Sequence, residues 1–141
     1  MFRPTWLEIE ALVRGGHDDL AKQEVQRLKE LARHYKRMQI PYFRALAVLE
    51  AWNKNLERVI KDLEAALSLS LELGLPTEIW QINAKLAEVH QEKGDLEEAQ
   101  KARIQALAVV ESLAETIPDL EIRREFLKFA QGRVIFNAVQ P

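Results

Sequence analysis

LAEVHQEKGDLEEAQKARIQAL, residues 86–107, carries the pattern of two helices joined by a tight turn. Ala87, Ala99 and Ala106 are small residues placed where two antiparallel helices must touch. Gly94-Asp95 stands between them. Glycine takes the left-handed conformation that ends a helix without a Cβ penalty. An aspartate directly after it accepts from the free backbone amides of the next helix. The stretch predicts a helical hairpin with its turn at residues 94–95.

The pattern returns upstream. Forty residues upstream, Leu46-Ala47 stand for Leu86-Ala87, Leu56 for Leu96, Val59 for Ala99 and Ala66-Leu67 for Ala106-Leu107. Asn55 replaces Asp95, both good caps, while Lys54 stands where Gly94 does. A shift of 78 brings Gly16 onto Gly94, Ala21 onto Ala99 and Leu28 onto Ala106, a weaker copy. One hairpin cannot bury its apolar face alone, so neighbours are expected to stack.

The rest of the chain reads as helix. Apolar residues recur at the helical period in four stripes: Ala21, Val25, Leu28, Ala32 and Tyr35; Leu56, Val59, Ile60, Leu63, Ala66, Leu67 and Leu71; Ile79, Ile82, Leu86 and His90; and Leu96, Ala99, Ala106, Leu107, Val110 and Leu113. No convincing strand alternation occurs. Seven helices are expected, near 3–14, 18–37, 42–53, 55–73, 77–92, 95–116 and 119–130. The short links make neighbours antiparallel. The expected architecture is all-α: a single domain over 1–141, built as a right-handed α-α superhelix of three hairpins (3–37, 42–73, 77–116), a capping helix at 119–130 and a tail at 131–141.

Residues 86–107 resemble a tetratricopeptide repeat, and the three copies resemble a short array over residues 5–116. The spacing of 38–40 residues is longer than the usual repeat of about 34. The Trp, Gly and Tyr usual in the first helix appear as Asn83, Ala87 and His90; in the second copy Phe43 and Ala47 fit and Glu50 does not. Long repeats of this kind resemble the C-terminal tails of bacterial signal-transduction ATPases and of maltose-regulon-activator-type regulators. Ile117-Pro118-Asp119 with Leu120, Arg123 and Phe126-Leu127 resembles the closing helix of such tails.

Composition narrows the function classes. The chain of 141 residues has 48% hydrophobic and 30% charged residues, a net charge of −2 and no cysteine. That is the composition of an ordinary globular protein. The missing cysteines exclude disulfides, thiolate catalysis and Cys-ligated metals. No apolar run is long enough to span a membrane. Glu8 and Glu10 interrupt the N-terminal apolar segment, which argues against a signal peptide. The expected location is cytoplasmic.

No catalytic constellation emerges, so the expectation is a non-enzyme without metal or other cofactor. There is no phosphate loop, nucleophile elbow or His-Glu-x-x-His helix. Ser68, Ser70 and Ser112 are mid-helix, and Asp18-Asp19 and Glu97-Glu98 sit at helix starts, where acidic side chains favour the macrodipole. Glu88, His90 and Glu92 do not share one helical face. The basic run Arg33-His34-Tyr35-Lys36-Arg37 reads as a solvated helix end rather than a nucleic-acid contact.

The resemblance to tetratricopeptide arrays implies binding in a concave groove lined by the first helix of each hairpin. Those places hold Trp6, Glu10 and Arg14; Arg44, Val48 and Trp52; and Gln81, Lys85, Glu88 and Gln91. Trp6 and Trp52 either line this groove or pack between hairpins. The Lys and Asn set of the chaperone-type carboxylate clamp is missing at these places. The expected function is a protein- or peptide-binding scaffold, a regulatory module in bacterial signalling. Phe126, Phe129, Val134, Ile135 and Phe136 leave apolar side chains over at the C-terminus. Either that segment folds back on the last hairpin or it makes a homodimer. Self-association and ligand sensing are therefore the alternative functions.

Overall fold

The structure, a computed structural model, describes the backbone of residues 5–139 and the side chains of residues 6–135. Among these residues the protein is all-α. The helices are α1 (Thr5–Arg14), α2 (Asp18–His34), α3 (Gln39–Trp52), α4 (Leu56–Leu73), α5 (Pro76–Lys93), α6 (Leu96–Glu115) and α7 (Leu120–Val139), with a single 3₁₀ turn at Lys36–Met38. They form two compact units that divide between Leu73 and Gly74.

The three hairpin turns share one construction. Gly16, Lys54 and Gly94 all take positive φ, at 79°, 59° and 94°. The amide of each donates three residues back, to Val13, Ala51 and Gln91, at 3.0–3.1 Å. The amide of the next residue, His17, Asn55 or Asp95, donates five residues back, to Leu12, Glu50 and His90, at 2.8–2.9 Å. This is the paired bonding that satisfies the last carbonyls of a helix through a left-handed residue. Asn55 and Asp95 then accept from the amides of Arg58 and Glu98 and cap the second helix. His17 makes no such side-chain bond. Beyond each turn, Ala21, Val59 and Ala99 are buried, as are Leu28, Ala66 and Ala106 further along.

In the first unit α1 packs on α2 and α3, and α3 also packs on α2 and α4. Ile9, Val13, Ala21, Val25, Leu28 and Ala45 form a core cluster, against which Trp6, Tyr42, Leu46 and Val48 lie. In the second unit α5 and α6 form the hairpin and α7 packs on both. Trp80, Ala84, Ala106, Val110, Ala130 and Val134 form its core cluster, with Phe126 and Leu127 against it.

Three boundaries differ from those expected. Helix α2 stops at His34, because Tyr35 is extended and the 3₁₀ turn follows. Helix α3 begins at Gln39 rather than near residue 42, so Pro41 lies in its first turn, where a missing amide costs little. Helix α7 does not end near residue 130. It runs through Gly132 to Val139, because Val134 is an anchor in the core one turn after Ala130. Asp119 starts α7 by accepting from the amides of Glu121 and Ile122 at 2.9 and 3.0 Å. The Arg123 guanidinium holds the Ile117 carbonyl and fixes the link before it.

Candidate functional site

In the first unit Trp6, Glu10 and Arg14 are spaced four residues apart on α1, and Arg44, Val48 and Trp52 likewise on α3. That spacing places each trio on one side of its helix. The structure joins the two rows at one end: the Arg44 guanidinium lies 4.1 Å from the centroid of the Trp6 ring. Arg44 is only 7% exposed, so it is a packed residue rather than an open contact. A desolvated guanidinium over an indole is worth about 2 kcal/mol. Trp6 and Val48 also lean on the core cluster. Glu10 and Arg14 pair at 2.7 Å. Trp52, at the far end of α3, is 54% exposed.

In the second unit Gln81, Lys85, Glu88 and Gln91 lie along α5. Lys85 is exposed and pairs with Glu88 at 3.4 Å. Gln91 accepts from the Arg103 guanidinium of α6 at 2.8 Å, which ties it to its own hairpin. Buried Asn83 returns its amide to the Ile79 carbonyl of its own helix at 3.2 Å, and Ser70 of the first unit donates its hydroxyl to the Ala66 carbonyl at 2.8 Å.

The C-terminal residues divide. Val134 is 1% exposed and Phe126 is half-buried, so both belong to the core of their unit rather than to a free surface. Phe129 and Ile135 are exposed. The side chain of Phe136 lies outside those described. In the basic run, Arg33 pairs with Glu30 at 3.4 Å and Lys36 with Glu72 of α4, while Tyr35 is exposed.

The structure adds a group beyond the expected contact residues. The Asp62 carboxyl on α4 is pushed up to about 6, first by burial and then by the neighbouring Glu50; Arg58 and Lys61 oppose this. Its Oδ2 is buried without a hydrogen-bond partner. The Arg58 guanidinium reaches Glu50 at 3.8 Å. The signal was present in the helical period. Asp62 lies three residues after Val59 and four before Ala66, on the face those two bury.

No family model, characterised protein or solved structure matches this chain. Function is therefore argued from the geometry. Among the described residues no three His, Asp or Glu side chains gather as a metal site, and no helix is long and apolar enough to cross a membrane. The open depression between α1 and α2, lined by Glu8, Ala11, Leu12, Leu20, Gln23 and Glu24, contains none of the expected contact residues.

Proposed function

We propose that this chain is a non-catalytic scaffold that binds a protein or peptide through the first helices of its tetratricopeptide-like hairpins. The carrying observation is the turn that recurs at Gly16, Lys54 and Gly94 with the same pair of backbone bonds. A chain that repeats one turn between paired helices is read as presenting repeated helix faces, and such faces recognise partners by shape and side-chain pattern. Trp52 on α3 and Lys85 on α5 are the proposed contacts, because each is exposed on its row. Trp6 and Arg44 are proposed as the rigid support of the α3 row, since each engages the other. A large amphipathic aromatic such as Trp52 is the residue type that dominates binding energy at interfaces. In this reading the protein acts in the cytoplasm as a regulatory module of bacterial signalling, in keeping with the long-repeat tails it resembles.

Affinity capture from a lysate, with Trp52→Ala as the control, tests the proposal. Trp52→Ala is a better control than any change at Arg44, whose burial makes it a folding residue. A protein held by the parent and lost from the folded Trp52→Ala variant supports the proposal. Identical capture by both variants removes the α3 face from it.

A further inference from the structure

Helix α7 carries a second surface, on the side turned away from Ala130 and Val134. Ile122, Glu125, Phe129, Gly132 and Arg133 fall within about 100° of one another around the helix axis. All five are exposed, Ile122 at 59% and Phe129 at 60%. Neither Glu125 nor Arg133 forms an ion pair among the described residues; Arg133 lies over its own Phe129 ring at 6.0 Å. Gly132 sits in the helix interior, where glycine costs about 1 kcal/mol relative to alanine. A Cβ built there meets nothing within 4 Å, so no contact among the described residues requires glycine at this position.

We propose that this face binds the same face of a second copy of the chain, with the two α7 helices antiparallel and crossing at Phe129. Charge complementarity about one point favours this arrangement. Glu125 lies four residues before Phe129 and Arg133 four residues after it, each about 6 Å along the axis. An antiparallel copy centred on Phe129 sets Glu125 of each chain level with Arg133 of the other. A parallel copy sets glutamate against glutamate and arginine against arginine. The two-fold arrangement therefore brings two opposite-charge pairs around a central pair of phenylalanines, the self-complementary pattern of an isologous dimer. Gly132 lies one turn from the crossing, where a missing side chain lets the backbones approach. This surface is on α7 and does not depend on the peptide-binding proposal.

Sedimentation equilibrium of the full chain over a wide concentration range is the test, with circular dichroism confirming that each variant folds. The parent is expected to approach twice its monomer mass of 16.3 kDa as concentration rises. Glu125→Arg and Arg133→Glu, each alone, set like charges together and are expected to weaken association at least about tenfold. The double variant, Glu125→Arg with Arg133→Glu, exchanges the charges and is expected to recover to within about threefold of the parent. Phe129→Asp is expected to stay monomeric. A parent that is monomeric throughout overturns the proposal and leaves the face to a different partner. Association that survives Phe129→Asp, or single variants that the double variant does not rescue, overturns it as well.

Discussion

The Asp62 carboxyl makes a quantitative prediction about stability. Its folded-state pKa is raised from the ordinary 3.8 to about 6, so between these values the folded chain holds a proton that the unfolded chain has released. Stability from this group is therefore greatest below pH 3.8. It falls as pH rises through 6, and above that the charged, partly desolvated carboxylate is a constant penalty. The full rise would correspond to about 3 kcal/mol. Asp62 is only partly buried, and solvent screening reduces the expected penalty to about 1 kcal/mol. Asp62→Asn keeps the shape and removes the charge. It is expected to stabilise the protein by about 1 kcal/mol at pH 7, a rise in Tm of about 3 °C for a chain of this size. The gain should shrink through pH 5 and vanish near pH 3.5, where both side chains are neutral. Thermal melts of parent and variant by circular dichroism, at half-unit steps from pH 3.5 to 7.5, read this directly. A gain that does not change with pH, or a loss at pH 7, refutes the assignment of a buried, charge-penalised carboxylate.

Other substitutions test the hairpins. Lys54→Gly relieves a left-handed lysine at a cost of about 1–2 kcal/mol and gives back part of that in glycine entropy, so urea melts should show a gain of about 0.5–1 kcal/mol. Gly94→Ala, at φ 94°, should lose about 1 kcal/mol in the same assay. Ala106→Leu, in a fully buried seam, should cost about 1–3 kcal/mol by overpacking, read as a lower denaturation midpoint. Trp6→Ala removes the half-buried ring under Arg44 and should cost about 2 kcal/mol, beyond the effect of Trp52→Ala on the exposed end of α3.

Much of the fold was legible because its punctuation is chemical. Gly94-Asp95 needs no tertiary information to be read as a helix stop followed by a cap, and Asn55 announces the same junction. Lys54 shows where such reading needs help. No propensity marks a lysine for positive φ, yet its register with Gly16 and Gly94 does, and the structure gives it the same turn. The end of α7 near residue 130 is not legible in the same way, because α7 continues past it through Gly132 to Val139. The helix continues because Val134 finds a core site, a tertiary contact invisible in local sequence. The candidate binding residues were only half legible. Helical spacing grouped Trp6 with Glu10 and Arg14, and Arg44 with Val48 and Trp52. It did not reveal that Arg44 is buried on Trp6 while Trp52 is open, since both positions lie on the same stripe of α3. Asp62 is hard to read from sequence because Val59, Leu63 and Ala66 around it carry the apolar stripe, and one carboxylate does not break its period.

The proposed function is recognition through the first-helix faces. Its most direct test is calorimetric titration of peptides, selected from a random display library on the parent protein, into the parent and into folded Trp52→Ala and Lys85→Glu variants. Selected peptides are expected to bind the parent and to lose at least about tenfold in affinity on the variant of the row they contact, Trp52→Ala for the first unit or Lys85→Glu for the second, with Phe129→Asp on α7 leaving them unaffected. Peptides that bind both Trp52→Ala and Lys85→Glu as tightly as the parent, or a library that yields no binder to the folded parent, would overturn the proposed function.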